Sequence, residues 1–157
     1  MRIGQGVDTH RFSDDPTRML VLGLVAVPDS AGLAGHSDAD VATHALCDAL
    51  LGAANLGDLG RHFPDTDPSI AGVSSRHLLE RTLELVRGAG FRPISADLTI
   101  IAQRPKIANL MSTMSEQLSA MVGAVVSVKA TTTEGLGALG RGEGISASAV
   151  VLLEETT

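Results

Sequence analysis

The residues best suited to chemistry begin with Asp8-Thr9-His10, at the end of a strand predicted over residues 2–9. Side chains at positions i and i+2 of a strand point to the same face, so Asp8 and His10 present a carboxylate and an imidazole side by side. Zinc accepts both groups as ligands. The triplet alone is explained as simply by a surface Asp and a surface His at a strand end.

A second histidine, His44, lies inside an otherwise apolar helix predicted over residues 38–56. A buried histidine needs polar partners, and a metal shared with Asp8 and His10 would provide one. Two His and one Asp leave a coordination position open, which is typical of catalytic rather than structural zinc sites. Asp40 either orients the His44 imidazole or is an acid favoured by the helix dipole.

Two loops around this helix carry further polar residues. His36 precedes the helix, where free backbone N–H groups gather, so phosphate binding there has a physical basis. Ser37 and Asp38 are candidates to cap the helix. The loop over residues 57–68 holds three acids among turn-forming residues: Asp58, Asp65 and Asp67. Each can be a turn residue only, but a position beside the candidate metal site predicts that some contact substrate hydroxyls.

A third cluster, Thr131-Thr132-Thr133-Glu134 followed by glycines, comes after a strand predicted over residues 124–130. Hydroxyls and free amides donate to phosphate oxygens, and Glu134 is a hard oxygen ligand of the kind that magnesium or manganese prefers. The alternative interpretation is a β-rich threonine run that enters a Gly-rich turn. The chain contains no G-x-x-x-x-G-K-[ST] phosphate loop.

These clusters must be positioned by a chain with the predicted order ββ-α-α-β-α-ββ. The remaining patterns predict β-rich segments over residues 18–27 broken near Gly23, a helix from Ser74 or Ser75 to Gly88–Gly90, strands over residues 94–102 and 145–153, and a helix with Pro105 in its first turn that ends at Gly123. Loops are predicted over residues 28–35, 57–68 and 131–144. The order predicts a single domain over residues 1–157 with a two-layer α+β fold, in which helices pack on one face of a single mixed sheet.

Composition limits the function classes. The 157 residues are 44% hydrophobic and 19% charged, as in a globular domain, and no apolar run reaches the roughly 18 residues of a membrane span. A net charge of −6 with scattered Arg and Lys argues against a nucleic-acid partner. The single cysteine, Cys47, excludes an internal disulfide and a Cys-based zinc site, and is expected in the core. No signal peptide is visible, so a cytoplasmic protein is expected.

Four stretches together resemble the 2-C-methyl-D-erythritol 2,4-cyclodiphosphate synthase family of the non-mevalonate isoprenoid pathway. They are R-I-G-Q-G-V-D-T-H-R-F from Arg2, G-H-S-D-A-D-V-A-T-H-A-L-C-D-A-L-L-G-A-A-N-L-G-D-L-G-R-H-F-P-D-T-D-P from Gly35, I-I-A-Q-R-P-K-I from Ile100, and K-A-T-T-T-E-G-L-G-A-L-G-R-G-E-G-I from Lys129. They span nearly the whole chain in the order expected for the family.

The resemblance implies a lyase that converts 4-diphosphocytidyl-2-C-methyl-D-erythritol 2-phosphate to 2-C-methyl-D-erythritol 2,4-cyclodiphosphate. CMP would be released by metal-assisted intramolecular phosphoryl transfer. Zinc, one ion per subunit, would be held by Asp8, His10 and His44, and a second ion, magnesium or manganese, by Glu134. A metal-dependent phosphatase and a non-catalytic trimer that binds isoprenoid diphosphates are the alternatives.

The resemblance also implies roles for further residues. His36 and Thr133 would position the reacting groups. The methylerythritol part of the substrate would be bound by Ser37, Asp58, Gly60, Phe63 and Asp65, and the cytidine by Ala102, Lys106, Ile107, Ala130, Thr131 and Thr132. The family is a homotrimer with active sites between subunits. Arg141 and Glu143 match residues near its axis, where an isoprenoid diphosphate can lodge. Departures from the family pattern at Gly23-Leu24, Arg104 and Ile107 remove none of the proposed ligands.

Overall fold

A computed structural model describes residues 1–64, 66–68 and 72–156. The strands are β1 (Arg2–Arg11), β2 (Met19–Leu22), β3 (Val25–Ala31), β4 (Phe91–Ile101), β5 (Val125–Thr131) and β6 (Gly144–Glu155). The helices are α1 (Val41–Ala53), α2 (Leu59–His62), α3 (Ser75–Gly88), α4 (Met111–Val122) and α5 (Gly137–Gly140). Within these described ranges, no helix has the length and apolar character needed to cross a membrane.

The centre of the fold is a four-stranded mixed sheet with the strand order β1-β6-β4-β5. Strand β6 pairs antiparallel with both β1 and β4, whereas β4 and β5 are parallel. The C-terminal ends of β1, β4 and β5 therefore lie at the same end of the sheet. The predicted α+β fold with a mixed sheet is confirmed.

Strands β2 and β3 form a separate two-stranded hairpin, so they do not extend the main sheet. The break predicted near Gly23 is its turn. Gly23 and Leu24 both have positive φ angles, of 55° and 66°, which a tight two-residue hairpin turn requires. Strand β3 continues to Ala31, into the segment that was predicted to be a loop.

The two faces of the main sheet differ in what covers them. One face of β6 is buried, and α1 packs there against β1 and β6; its buried side chains are Ile145, Ala147, Ala149, Val151 and Leu153. The opposite face leaves apolar side chains exposed, at 74% for Ile3, 57% for Val7, 69% for Val125 and 44% for Val150. Helices therefore pack on one face, as predicted, and the other face exposes several apolar side chains among polar ones.

Helix α1 lies very close to β1 because small residues face each other. A Cβ atom added to Gly4 would lie 2.0 Å from the carbonyl oxygen of Ala49, and one added to Gly6 would lie 2.0 Å from that of Ala45. Only glycine fits such a close approach of backbone to backbone. Since His44 directly precedes Ala45, this packing brings the imidazole beside the end of β1.

The segment around Pro105 departs from the prediction. The helix expected to begin there begins at Met111, after a 3₁₀ turn at Ala108–Leu110. Pro105 lies in the preceding loop and follows a cis peptide bond from Arg104. Proline fits a turn as readily as the first turn of a helix, so its presence alone did not define the start. The short helices α2 and α5 lie inside two segments that were predicted to be loops.

Candidate metal centre and substrate pocket

The end of β1 and the first turn of α1 bring three possible ligands to one point. The Oδ2 atom of Asp8 lies 3.0 Å from His10 Nε2 and 3.0 Å from His44 Nδ1. The ligand atoms of the three residues all lie within 4.8 Å of one another. Two imidazole nitrogens and one carboxylate oxygen suit a divalent metal, zinc among them. The three residues predicted from the sequence therefore come together in an arrangement that fits such an ion.

Hydrogen bonds orient the side chains of the triad and shift the pKa values of Asp8 and His10. The ring of His10 is oriented by a contact of 2.6 Å between its Nδ1 and the carbonyl oxygen of Ala34, so Nδ1 donates and Nε2 faces Asp8. Burial by itself raises the pKa of Asp8, but hydrogen bonds from His10 and His44 hold it well below its usual value of 3.8. The hydrogen bond to Asp8 raises the pKa of His10 above 6.5. A metal that binds here must displace protons from the imidazoles.

The far side of the His44 ring contacts two serine hydroxyls. Its Nε2 lies 3.0 Å from Ser75 Oγ and 3.2 Å from Ser37 Oγ. The sequence had marked Ser75 only as a possible helix cap, a role that Ser74 takes by accepting from His77 N. No local pattern indicates the contact of Ser75 with His44, because 31 residues separate them.

Asp40 is the N-cap of α1 and does not orient His44. Its carboxylate accepts hydrogen bonds from the backbone N–H groups of the first turn of α1. It also accepts from Gly23 N at 2.9 Å and from Leu24 N at 2.8 Å, which ties the hairpin turn to the start of the helix. The interpretation of Asp40 as the partner of the His44 imidazole is therefore wrong. The helix, predicted to start at Asp38, begins three residues later, at Val41.

A cavity of about 300 Å³ opens beside the triad. Its lining includes four of the residues that the resemblance assigned to the substrate or to phosphate positioning: His36, Ser37, Gly60 and Phe63. Asp58 caps α2, the short helix that contributes Gly60 to this lining, by accepting from Arg61 N at 2.8 Å. Asp65 lies outside the described residues.

Asp48 also lines the cavity, and sequence reasoning missed it. Its carboxylate accepts a hydrogen bond from Leu59 N at 2.7 Å, so it holds the start of α2 against α1. Burial raises the pKa of this carboxyl group. Asp48 follows His44 by four residues on α1, a spacing that places both side chains on one helix face. This spacing is the sequence signal that could have predicted Asp48 beside the metal centre.

The residues predicted to bind the nucleotide and a second metal lie at the other edge of the sheet. Strand register pairs Asp8 with Ala147, Ala147 with Ile100, and Ile100 with Ala130. Three inter-strand spacings of about 4.8 Å place Ala130 about 14 Å from Asp8. One chain therefore brings the two predicted parts of the site to the same end of the sheet but not into contact.

The loop after β5 is held by its own hydroxyls. Thr132 Oγ1 donates to Glu134 Oε1 at 3.2 Å, and Thr133 Oγ1 donates to the carbonyl oxygen of Leu136 at 2.7 Å. Glu134 is exposed and has a positive φ of 53°. Its assignment to a second metal stays a prediction.

The segment after β4 lies against β5. Ala102 N donates to the carbonyl oxygen of Thr131 at 3.0 Å. Ala102 and Ile107 are buried, whereas Lys106 is exposed. The predicted cytidine contacts thus share one edge of the sheet. Arg141 and Glu143 form an exposed ion pair of 2.6 Å between Nε and Oε1 after α5.

The fold and the site define a class of protein: an α+β domain that carries an open metal centre of two His and one Asp beside a polar cavity. The model of the YgbB family matches residues 1–154. The 2-C-methyl-D-erythritol 2,4-cyclodiphosphate synthase of Syntrophobacter fumaroxidans is 56% identical over 156 residues, which cover 98% of this chain and 97% of that protein. The synthase of Symbiobacterium thermophilum is 53% identical, with 98% of both chains covered. The chain belongs to this family of synthases.

Solved structures agree in fold. The bifunctional IspDF of Campylobacter jejuni has a TM-score of 0.92 and 39% identity, covering 98% of this chain and 42% of that one. The CDP complex of IspF from Plasmodium falciparum has a TM-score of 0.84 and 31% identity, covering 99% of this chain and 97% of that one. The resemblance seen in the sequence motifs is confirmed.

Proposed function

We propose that the protein converts 4-diphosphocytidyl-2-C-methyl-D-erythritol 2-phosphate to 2-C-methyl-D-erythritol 2,4-cyclodiphosphate and CMP, in the non-mevalonate pathway of isoprenoid synthesis. The observation that carries the proposal is the triad of Asp8, His10 and His44, which opens into a cavity in a chain that matches the synthases over nearly its full length. The reaction makes the enzyme a cyclising phosphorus–oxygen lyase. We place it in the cytoplasm.

The reaction asks the protein for positioning and charge neutralisation. An oxygen of the 2-phosphate bonds to the β-phosphorus, and the bond from that phosphorus to the oxygen bridging it to the α-phosphorus breaks. The bridging oxygen leaves as part of CMP, and an eight-membered ring closes. Since both reacting groups belong to one molecule, the main task is to hold them in line. No protein nucleophile is needed, and the cavity lining supplies groups suited to binding rather than to attack.

The protein's own residues take distinct parts in this scheme. His36 and Ser37, at the cavity wall before α1, would bind the 2-phosphate end, and Asp58 and Gly60 the methylerythritol hydroxyls. We assign zinc, one per subunit, to the triad and magnesium or manganese to Glu134. When bound, such ions neutralise the charge that develops on the diphosphate and on the leaving group. The remaining contacts at the methylerythritol end are assigned to Phe63 and Asp65. Cytidine contacts are assigned to the other sheet edge, at Ala102, Lys106, Ile107, Ala130, Thr131 and Thr132, with Thr133 positioning the diphosphate.

We further propose that the protein is a homotrimer. The helix-free face of the sheet exposes Val7, Val125 and Val150, and apolar side chains grouped on an exposed face are typical of protein interfaces. The two parts of the site also lie on opposite sheet edges, about 14 Å apart, whereas cooperating metals lie about 4 Å apart. A neighbouring copy that brings its β5 edge to the β1 edge would complete the site. Arg141 and Glu143 are then candidates for an isoprenoid-diphosphate site at the axis.

Phosphorus NMR tests the reaction. Purified protein with zinc and magnesium should turn the substrate into CMP and the cyclic diphosphate. Inorganic phosphate or an open-chain product would instead support a metal-dependent phosphatase. No turnover, together with binding of an isoprenoid diphosphate, would support a non-catalytic binding trimer.

Removal of one ligand tests the metal assignment. His44→Ala should lose bound zinc and activity while the trimer persists. The matched control is His77→Ala, because His77 lies exposed on α3, where its ring faces Glu80. The control should keep its zinc. Unchanged zinc content in His44→Ala would contradict the ligand assignment.

Subunit mixing tests whether the site lies between copies. His44→Ala and Glu134→Ala should each be inactive alone, because each lacks one part of every site. Unfolded together in equal amounts and refolded, they should recover about a quarter of wild-type activity, since half of the subunits carry each intact part. If both parts act within one chain, mixing restores nothing.

A further inference from the structure

The position of the proton on His44 decides whether this residue can hold a metal. The ring faces the triad with Nδ1, which lies 3.0 Å from Asp8 Oδ2. A neutral imidazole carries one proton, so Nδ1 has a free lone pair only when that proton sits on Nε2. Asp8 opposes this arrangement, because a carboxylate accepts only and favours a proton on Nδ1. Some other group must therefore place the proton on Nε2.

The hydroxyl of Ser75 contacts His44 Nε2 and donates its hydrogen to a different residue, Asp38. Ser75 Oγ lies 3.0 Å from His44 Nε2 and also forms a hydrogen bond with Asp38 Oδ1. Since a carboxylate accepts only, Ser75 must donate to Asp38. The same hydroxyl can then only accept from His44, which requires the proton on Nε2. Ser75 is fully buried, so solvent does not compete for its hydroxyl.

Asp38 is itself held in place. Its Oδ2 accepts from Ser75 N at 2.9 Å, the first residue of α3, and its Oδ1 accepts from Asp40 N at 3.3 Å. By contrast, Ser37 Oγ, which lies 3.2 Å from His44 Nε2, accepts from Ala39 N at 3.1 Å and keeps its hydrogen free. Ser37 can donate or accept at Nε2, and so it does not select a proton position.

We propose that Asp38 and Ser75 are positioning residues that fix the proton on His44 Nε2 and so make Nδ1 available to the metal. The chain of hydrogen bonds from Asp38 through Ser75 to His44, here called the Asp38 relay, joins the start of α3 to the metal centre. Outer partners that orient a metal-binding histidine typically change metal affinity by about 10- to 100-fold when removed. The inference rests on the metal assignment in the proposed function.

Two substitutions should reverse the proton position. In Ser75→Ala the hydroxyl that accepts from Nε2 is gone. The carboxylate of Asp8 then determines the tautomer of His44, and the proton moves to Nδ1. In Asp38→Asn the amide oxygen should occupy the position of Oδ2, because the backbone N–H of Ser75 points there and has a fixed direction. The amide NH₂ group then occupies the position of Oδ1 and faces Ser75 Oγ. Ser75 no longer gives its hydrogen to residue 38 and is free to donate to Nε2. The carboxylate of Asp8 then determines the tautomer, and the proton again sits on Nδ1.

The experiment uses ¹⁵N-histidine-labelled full-length protein freed of metal, at alkaline pH where imidazoles are neutral. Long-range ¹H–¹⁵N correlation spectra should show the proton of His44 on Nε2 in the wild type and on Nδ1 in both variants. Zinc affinity, measured by competition with a chelator, should fall about 10- to 100-fold. Ser74→Ala is the matched control, because Ser74 caps the same helix end without touching His44, and it should change neither readout.

A His44 proton that stays on Nε2 in Ser75→Ala and Asp38→Asn, with wild-type zinc affinity, would overturn the Asp38 relay. Equal losses of affinity in Ser74→Ala would also overturn it, since the cause would then be a loosened helix end. These readouts do not depend on turnover. A wild type with the expected proton position that releases no CMP would refute the proposed reaction and leave the relay standing.

Discussion

Asp40 joins two elements that frame the metal centre, and its replacement by alanine should strongly destabilise the protein. Its Oδ1 accepts from the backbone N–H of Gly23 at 2.9 Å and from two N–H groups of α1 at 3.1 Å. Its Oδ2 accepts from Leu24 N at 2.8 Å and from Thr43 Oγ1 at 2.6 Å. The side chain is fully buried, so water cannot take over these bonds.

The magnitude follows from the donors that lose their partner. Loss of a helix-capping side chain costs about 1 kcal/mol, and each buried donor left alone costs about 1–3 kcal/mol. For Asp40→Ala, the cap plus the N–H groups of Gly23 and Leu24 give about 3–7 kcal/mol. Asp40→Asn keeps an oxygen at Oδ1 but points an NH₂ group at Leu24 N–H, and should cost about 1–3 kcal/mol.

Urea unfolding followed by circular dichroism measures these differences, at one protein concentration because assembly shifts apparent stability. Asp14→Ala is the control: Asp14 is 92% exposed in its side chain and forms a surface ion pair with Arg11, at 3.0 Å. A surface pair of this kind contributes about 0–1 kcal/mol. If Asp40→Ala lies within about 1 kcal/mol of the wild type, the hydrogen bonds assigned to Asp40 do not form in solution.

Two further predictions concern the metal and the assembly. Because the hydrogen bond to Asp8 raises the pKa of His10 above 6.5, protons compete with zinc as the pH falls through that raised pKa. Calorimetry in buffers of different ionisation enthalpy should therefore show proton release on zinc binding at neutral pH; identical heats in all buffers would contradict this. Val7→Asp places a charge on the helix-free sheet face, where Val7 is 57% exposed, and should break the trimer in light scattering. His77→Ala is again the control, and a trimeric Val7→Asp protein would refute the assignment of this face to the interface.

The sequence predicted the triad because its signals are local. Asp8 and His10 share a face by the two-residue period of a strand, and His44 is conspicuous as a polar residue in an apolar helix. The close approach that joins them depends on Gly4 and Gly6, whose role is visible only once α1 is seen to rest on β1.

Other features depend on contacts distant in sequence. Ser37, Asp38 and Asp40 are equally good caps by residue type, and the structure selects Asp40 because the hairpin turn at Gly23 and Leu24 supplies two further donors. The helix start predicted at Pro105 was wrong for a similar reason, because residue preferences do not distinguish a turn from a helix start. The separation of the predicted site residues between two sheet edges follows from strand order, which no local pattern encodes.

The protons of the two histidines of the triad are fixed by different kinds of acceptor, and the two acceptors place different demands on the surrounding side chains. His10 donates from Nδ1 to a backbone carbonyl, that of Ala34. A carbonyl accepts only, so it fixes the proton of His10 whatever side chain residue 34 carries. His44 donates to the hydroxyl of Ser75, which can either donate or accept. That hydroxyl fixes the proton of His44 on Nε2 only because it donates its own hydrogen to Asp38. The acid at position 38 is therefore needed for its chemistry, whereas a helix cap there would accept Ser, Thr or Asn equally well.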